Sequence, residues 1–221
     1  MTMDQKHIKY PRTFHCPWSP GRTNDDKVHT QSDINRMFKG REVVVTEKMD
    51  GENSSLYSDG CHARSLDSRA HVSQAWIRAF AAKIGQDIPE GWRVCGENLY
   101  ARHALGYDSL PSYFLGFGIY NEVNRCMPWD TTVEWAALLG VDLVPVLYRG
   151  PWNQELIQAL GNPGVPSAYG PEREGYVVRL ADGFDFWDFD DSVAKYVRSG
   201  HVDPNSGHWA QKAVVPNGLK A

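Results

Sequence analysis

The hydrophobic and polar positions along the chain form short strand-like runs separated by a few amphipathic stretches. Residues 43–45, 92–99, 112–120, 141–148 and 175–180 are rich in β-branched and aromatic side chains, which predicts strands. Apolar residues at helical spacing predict helices over 33–38, 71–84, 129–139 and 152–160. Residues 188–196 fit either a helix or a strand. The pattern therefore predicts a chain of mixed strands and short helices.

No internal repeat, low-complexity run or linker interrupts this pattern. We therefore interpret residues 1–221 as a single domain. Residues 1–41 form a polar, proline-containing N-terminal segment, residues 42–198 form the core, and residues 199–221 form a C-terminal tail. We expect no separate C-terminal domain.

Composition restricts the possible functions only slightly. The chain has 221 residues, of which 42% are hydrophobic and 23% charged, which is typical of a globular protein. The net charge of −4 argues against a generally basic nucleic-acid binder, so any contact with a polynucleotide must be a local patch. No apolar run is long enough to cross a membrane and the N-terminus has no signal-peptide core, so we expect a cytoplasmic protein without a membrane partner.

The four cysteines do not indicate a metal site or a disulfide framework. Cys16, Cys61, Cys95 and Cys126 are far apart and form no CxxC pair. We interpret them as reduced, partly buried thiols.

Residues 43–53 carry the first candidate chemistry. Three valines lead into Lys48, an Asp50-Gly51 turn signal follows, and the apolar–polar alternation then resumes, which predicts a hairpin with Lys48 beside its tip. A lysine at a rigid strand end can attack an electrophile if nearby cations or a dry pocket lower its pKa. The alternative is a surface lysine on an ordinary hairpin.

Four motifs in order place this lysine in a wider pattern. They are Lys48-Met-Asp50-Gly51, Cys95-Gly-Glu97-Asn-Leu-Tyr100, Glu174-Gly-Tyr-Val-Val-Arg179 and Ala194-Lys195-Tyr196. This set resembles the covalent nucleotidyltransferase superfamily, and most closely its ATP-dependent RNA ligases of the nick-sealing phage type. The resemblance implies an α+β nucleotidyltransferase (ATP-grasp-like ligase) domain of antiparallel sheets with peripheral helices, with the nucleotide in the groove between the sheets.

The resemblance also implies roles for individual residues. Lys48 is the nucleophile that forms lysyl-AMP, and Asp50, two residues on, orients the amine or the ribose. Lys195 contacts the α-phosphate and lowers the pKa of Lys48. Glu174 holds a hydrated Mg²⁺ (or Mn²⁺) ion or the lysine itself.

The remaining implied residues bind the nucleotide. Glu47 holds the adenine edge, Phe117 stacks on the purine, and Glu97 accepts a hydrogen bond from a ribose hydroxyl. Asn53 meets a phosphate or hydroxyl, or is only a turn residue. Arg69 contacts the ribose or 5′-phosphate, with Arg64 as a substitute.

The last motif departs from the family pattern. These ligases usually carry a second lysine two places after the first, where this chain has Val197. Arg198 follows, but on a strand it faces the opposite way from residue 197. Either the local geometry turns Arg198 inward or another cation replaces the missing lysine.

The resemblance implies an ATP-dependent RNA ligase that joins RNA 5′-phosphate and 3′-hydroxyl ends, as in RNA repair, and acts as a monomer. A DNA ligase and an mRNA-capping guanylyltransferase use the same lysine chemistry and remain alternatives. So does a non-catalytic RNA-binding relative, although a protein that only binds has no need of the nucleophile.

Overall fold

The computed structural model describes residues 7–66, 71–200 and 214–221. Its α-helices are α1 (Gln31–Phe38), α2 (Ala75–Ile84), α3 (Trp129–Leu139) and α4 (Gln154–Ala159). Its strands are β1 (Phe14–His15), β2 (Glu42–Lys48), β3 (Glu52–Tyr57), β4 (Gly60–Ala63), β5 (Arg93–Asn98), β6 (Phe114–Tyr120), β7 (Arg125–Cys126), β8 (Val146–Pro151), β9 (Gly175–Leu180), β10 (Phe184–Asp185) and β11 (Val193–Val197). Three 3-10 turns cover Val72–Gln74, Gly85–Asp87 and Phe186–Asp191.

The strands form two sheets that are almost entirely antiparallel. One has the order β1-β11-β9-β2-β8 and the other the order β10-β7-β6-β5-β3-β4. The pairing of β1 with β11 is parallel. Val43 and Val45 of β2 pack in one buried cluster and Val44 in another, which places the valine run in the core on both faces. β2 is therefore a central strand, as its unbroken apolar run suggests.

The predicted hairpin around Asp50-Gly51 is wrong. β2 and β3 belong to different sheets, so residues 49–51 carry the chain from one sheet to the other. A Cβ atom on Gly51 would lie 2.5 Å from the carbonyl oxygen of Asn98, so the crossing passes too close to β5 for any side chain. An Asp-Gly pair favours a sharp change of chain direction both in a hairpin and in a crossing between sheets. The two arrangements differ only in which strands β2 and β3 pair with.

The predicted helices are confirmed, with shifted ends. α1 begins earlier than predicted because Thr30 and Asp33 form a capping box, and it buries Ile34, Met37 and Phe38. The stretch 71–84 begins as a 3-10 turn and continues as α2. Residues 188–196 begin in a 3-10 turn and end in β11, so the first part of this run is helical and the second part is a strand.

The predicted strand over 141–148 is displaced toward the C-terminus. Only residues from Val146 onward form β8, while the preceding segment links the two sheets. In that link Val144 N donates to Gly116 O (3.0 Å), and Glu47 N donates to Pro145 O (2.8 Å). The segment therefore joins β6 in one sheet to β2 in the other.

The C-terminal end packs beside the sheet crossing. Asn217 is buried, its Nδ2 donates to Leu99 O (2.7 Å), and its Oδ1 accepts from Tyr107 N (2.8 Å). The Tyr107 hydroxyl in turn accepts from Asp50 N (2.8 Å). This chain of bonds connects Asn217 to the segment that follows Lys48. Within the described residues, no helix has the length and apolar character needed to cross a membrane.

The close contact between β9 and β11 gives a test of the fold. A Cβ atom on Gly175 would overlap the carbonyl oxygen of Tyr196 on β11, whereas one on Gly118 of β6 would have its nearest neighbour at 3.7 Å. We expect Gly175→Ala to lower the free energy of unfolding by about 1–3 kcal/mol, a typical cost of overpacking. Gly118→Ala is the matched control and should change it much less. Urea unfolding of both variants checks this, and equal effects would contradict the described strand packing.

Candidate active site

A pocket of about 270 Å³ between the two sheets collects most of the side chains singled out from the sequence. Its lining includes six of the predicted nucleotide-binding residues: Glu47, Lys48, Asn53, Glu97, Phe117 and Lys195. It also includes residues that the sequence analysis did not assign to a site: Tyr10, Arg12, Thr13, Asp26 and Val177. The residues come from both sheets and from the N-terminal segment.

Lys48 ends β2 and points its amine at Glu174. The antiparallel register sets Lys48 opposite Gly175, which brings Glu174, one residue before β9, beside it. Both carboxylate oxygens of Glu174 lie 2.6 Å from Lys48 Nζ. Glu174 is only 4% exposed, so this ion pair is shielded from water on the carboxylate side.

The charges around Lys48 raise its pKa, contrary to the expectation from the sequence. Burial lowers the pKa of Lys48, but Glu174, Glu97 and Asp50 outweigh burial and raise the pKa above its ordinary value. Lys195 was expected to lower it; three carboxylates surround the amine and their combined effect is larger. In this state the amine is held as an ammonium ion.

Lys195 itself shows the depressed pKa that was expected of Lys48. It lies on β11 and lines the pocket, and its pKa is lowered by burial first and by the charge of Lys48 second. Its amine is 4.0 Å from an Asp26 carboxylate oxygen. Asp26 also lies 3.5 Å from Nε2 of the buried His15, whose pKa burial and the charge of Lys195 lower to about 4. His15 is therefore neutral at ordinary pH.

Glu97 borders the pocket from β5. Its carboxylate accepts from Gly51 N at 3.2 Å. Burial raises the pKa of Glu97 to about 8; the charge of Lys48 opposes this shift and that of Glu174 adds to it. At neutral pH the carboxyl group is largely protonated, so it can donate as well as accept a hydrogen bond.

Asn53 and Glu47 each present a buried acceptor atom to this region. Asn53 lies opposite Glu97 on β3, and its Oδ1 has no hydrogen-bond partner within the described part of the chain. Oε2 of Glu47 accepts from Ala168 N (3.0 Å), but its Oε1 likewise has no partner among the described residues. Buried acceptors without donors are uncommon, and both residues line a pocket where a ligand could supply donors.

Phe117 lies half-buried on β6 and lines the pocket. Tyr10, from the N-terminal segment, contacts it edge to face with ring centroids 5.3 Å apart. Arg64 lines the same pocket, and its backbone N donates to Asn53 O (2.9 Å). Arg69 lies outside the described residues, so the structure places only Arg64 of the two candidate arginines.

Asp50 does not line the pocket in the described structure. Its carboxylate accepts from Leu105 N (2.7 Å), and its own backbone N donates to the Tyr107 hydroxyl (2.8 Å). Its negative charge still acts on Lys48. Asp50 thus fixes the 105–107 segment against the sheet crossing.

Arg198 does not turn into the pocket. Its guanidinium bonds to the carboxylate of Glu172 and donates from Nε to Arg173 O (3.0 Å). Val197 is buried instead on the face of β11 that carries Lys195. Of the alternatives open after the sequence analysis, the inward turn of Arg198 is wrong.

Apart from Val177 on β9, the residues named above as missed from the sequence come from the N-terminal segment. Phe14 and His15 of β1 pair in parallel with Ala194 and Lys195, which brings Tyr10, Arg12 and Asp26 to the pocket. A two-residue strand leaves no periodic signal in the sequence. Only the long-range pairing reveals these residues.

The described residues offer a partial shell for a metal ion. Glu174 and Glu97 both raise the pKa of Lys48, which places two carboxylates near its amine. The described residues hold no group of three or more His, Cys, Asp or Glu side chains that could bind a metal. One or two carboxylates fit an ion that takes its other ligands from water and phosphate oxygens.

The pKa of Lys48 provides a test of this geometry. In Glu174→Gln the largest favourable charge is lost while burial remains, so we expect the pKa of Lys48 to fall. The pH dependence of amine modification at Lys48, followed by peptide mass spectrometry, should shift to lower pH. Glu172→Gln is the control, since its carboxylate bonds Arg198. An unchanged or raised midpoint in Glu174→Gln would contradict the described charge balance.

Comparison with known proteins agrees with this architecture. A family model described as RNA ligase matches residues 41–197. The Naegleria gruberi RNA ligase with PPi superposes with a TM-score of 0.60 at 20% identity, over 88% of this chain and 62% of that one. A mutant of that ligase with ATP and Mn gives 0.57 at 18% identity, over 89% and 62%. An apo mutant gives 0.54 at 19% identity, over 76% and 51%.

These structures confirm the expected α+β nucleotidyltransferase fold. The chain spans about half to three-fifths of the length of the solved structures that it matches. A search of curated proteins found no match. Because the family model covers most of the residues, from the strand that carries Lys48 to the end of β11, the chain belongs to the RNA ligase family.

Proposed function

We propose that this protein is an ATP-dependent RNA ligase that works through a covalent lysyl-AMP intermediate on Lys48. The observation that carries the proposal is the Lys48 amine, fixed by Glu174 at 2.6 Å in a pocket that also holds Lys195 and Phe117. The family membership supports the same activity. The Naegleria gruberi structures with ATP and Mn, and with PPi, support the choice of nucleotide.

The first step is adenylation of Lys48. Lys48 must first lose a proton to solvent, which burial of the amine favours once the Glu174 carboxylate no longer contacts it. The neutral amine then attacks the α-phosphorus of ATP, forming an N–P bond. The bond from phosphorus to the bridging oxygen breaks, and pyrophosphate leaves with that electron pair. Lys195 offers positive charge to the α-phosphate.

Glu47, Phe117 and Asn53 are suited to bind the nucleoside. Oε1 of Glu47 is a buried acceptor that can receive a bond from the exocyclic amine of adenine. Phe117 presents a ring face for stacking. Asn53 Oδ1 needs a donor, which a hydroxyl group of the ligand can supply. Glu97 borders the same space for the ribose, and Arg64 or Arg69 provides a cation.

A divalent metal, Mg²⁺ or Mn²⁺, would be held by Glu174 with phosphate oxygens and water. When bound it offsets negative charge on the departing pyrophosphate. The described residues contribute only a partial shell, which is consistent with a metal that arrives with the nucleotide.

Two transfers complete the reaction. The RNA 5′-phosphate attacks the phosphorus of lysyl-AMP, the N–P bond breaks, and the nitrogen of Lys48 takes up a proton as it leaves. The RNA 3′-hydroxyl then loses its proton and attacks the 5′-phosphorus of the adenylated end, and AMP leaves. The proposed partner is thus RNA with 5′-phosphate and 3′-hydroxyl ends, bound by a protein monomer.

Lys48→Ala provides the direct test. We expect the wild-type protein to gain the mass of one AMP when incubated with ATP and Mg²⁺, and the variant to gain none because the attacking nitrogen is absent. Intact-protein mass spectrometry measures the gain, and circular dichroism checks folding. Lys39→Ala, which removes an exposed lysine after α1, is the control. Adenylation of Lys48→Ala would exclude this nucleophile.

Dependence on the metal ion and on Glu174 forms a second test. Removal of divalent ions with EDTA should abolish the mass gain, and added Mg²⁺ should restore it. Glu174→Ala should need a higher Mg²⁺ concentration to reach the same mass gain.

Incubation with GTP in place of ATP separates ligation from capping. We expect labelling by ATP. If the protein were labelled only by GTP, the activity would be guanylyl transfer and not RNA ligation.

A further inference from the structure

The N-terminal segment builds one wall of the pocket. Cys16 N donates to Lys195 O (2.7 Å), and His15 N donates to Lys27 O (2.9 Å), which ties this segment to β11 and folds it back on itself. Residues just before β1, Arg12 and Thr13, line the pocket together with Lys195. The wall next to Lys195 is therefore made by a part of the chain that lies outside the residues matched by the family model, 41–197.

The same segment covers the position at which a second lysine was expected. Gly21 N donates to Val197 O (2.9 Å), and Val197 N donates to Ser19 Oγ (2.9 Å). Val197 is only 5% exposed under this cover. A lysine at position 197 would have to displace the Ser19–Gly21 loop, so the valine and the loop are complementary. Any cation that takes the place of that lysine must come from elsewhere.

Few cations that line the pocket are available for this role. Arg179 donates to the carbonyl oxygens of Leu180, Phe117 and Met127, so its guanidinium is already bonded inside the fold. Arg64 lies beside Asn53 at the end of β4, and Lys48 is the proposed nucleophile. Among the described cations that line the pocket, Arg12 and Lys195 remain.

Arg12 is placed well for this role. It is exposed at the pocket edge, and its Nη1 donates to Asp25 O (3.1 Å), which holds the side chain toward the pocket. Its positive charge is close enough to act on the amine of Lys195. A guanidinium binds phosphate through two parallel hydrogen bonds, which suits it to a polyphosphate.

The charges in and beside the pocket favour such a cation. Glu47 and Asp26 line the pocket and Glu174 contacts Lys48, so these carboxylates repel a triphosphate, which itself carries several negative charges. Lys195 serves the α-phosphate in the proposed reaction. Besides a divalent ion, the β- and γ-phosphates, which leave as pyrophosphate, can use a protein cation at the exposed edge of the pocket, where Arg12 lies.

We propose that Arg12 binds the β- and γ-phosphates of ATP, and the pyrophosphate that leaves, in place of the cation that Val197 does not supply. This inference rests on the proposed adenylation of Lys48. It predicts a role confined to the steps in which pyrophosphate is present. The joining of RNA that already carries a 5′-adenylate has no such step and should not depend on Arg12.

Arg12→Ala tests this with three measurements on one variant. We expect the KM for ATP in self-adenylation to rise roughly tenfold to a hundredfold, as for loss of a charge-assisted contact. Release of AMP from the adenylated enzyme by added pyrophosphate should slow to a similar extent. Sealing of a chemically adenylated RNA end should keep its wild-type rate. Arg12→Lys keeps the charge but cannot form two parallel hydrogen bonds to phosphate, so its KM for ATP and its rate of AMP release should lie between those of the wild type and Arg12→Ala.

Arg22→Ala is the matched control. Arg22 lies in the same segment, but its Nη1 donates to Pro17 O (3.0 Å) and the residue does not line the pocket in the described structure. It should behave as wild type in all three measurements. Wild-type ATP and pyrophosphate dependence in Arg12→Ala would overturn the inference while leaving adenylation of Lys48 intact. An equal loss in all three steps, with a lower melting temperature, would also overturn it by showing a structural role. Failure of the wild-type protein to take up AMP would instead refute the proposed function.

Discussion

The contact between Lys48 and Glu174 sets the chemistry of the whole site. It depends on the antiparallel register of β2 and β9, which brings the last residue of one strand beside the residue that precedes the other. With Glu97 and Asp50 nearby, the amine is surrounded by more carboxylates than burial can offset. The structure is therefore a resting state in which Lys48 is charged. Glu174 raises the pKa of Lys48 and burial lowers it. Once Glu174 no longer contacts the amine, burial therefore favours the neutral nucleophile.

The second constraint is the passage of the chain between the sheets just after Lys48. Because β2 and β3 lie in different sheets, Lys48 and Asn53 face the pocket from opposite sides, although only four residues separate them. Asp50 holds this crossing through Leu105 N and the Tyr107 hydroxyl, and Asn217 supports Tyr107 from the C-terminal end. A rigid crossing fixes the amine, because the strand that carries it cannot shift without breaking these bonds.

The short sequence motifs were enough to identify the residues that lie around Lys48, because each motif lies on or beside one strand. Sequence was not enough to distinguish a hairpin from a sheet crossing, because an Asp-Gly pair and flanking strands are common to both. The sign of the Lys48 pKa shift also could not be read, since it depends on carboxylates that lie 49 and 126 positions further along the chain. Tyr10, Arg12 and Asp26 were missed because only the parallel pairing of β1 with β11 brings them to the pocket.

The charged groups of the site act as one coupled set rather than as independent residues. Glu174 contacts Lys48, the charge of Lys48 lowers the pKa of Lys195, Lys195 lies near Asp26, and Asp26 lies near the neutral His15. Glu174 stabilises the positive charge of Lys48 and Asp26 that of Lys195, whereas the two lysines repel each other. A change at one end of this row therefore alters the protonation of its neighbours. A polyanionic nucleotide entering the pocket adds charge beside Lys195 and so favours its protonated form. The N-terminal segment, which supplies Asp26 and Arg12, is therefore part of the electrostatic environment of the nucleophile, even though it lies far from Lys48 in the sequence.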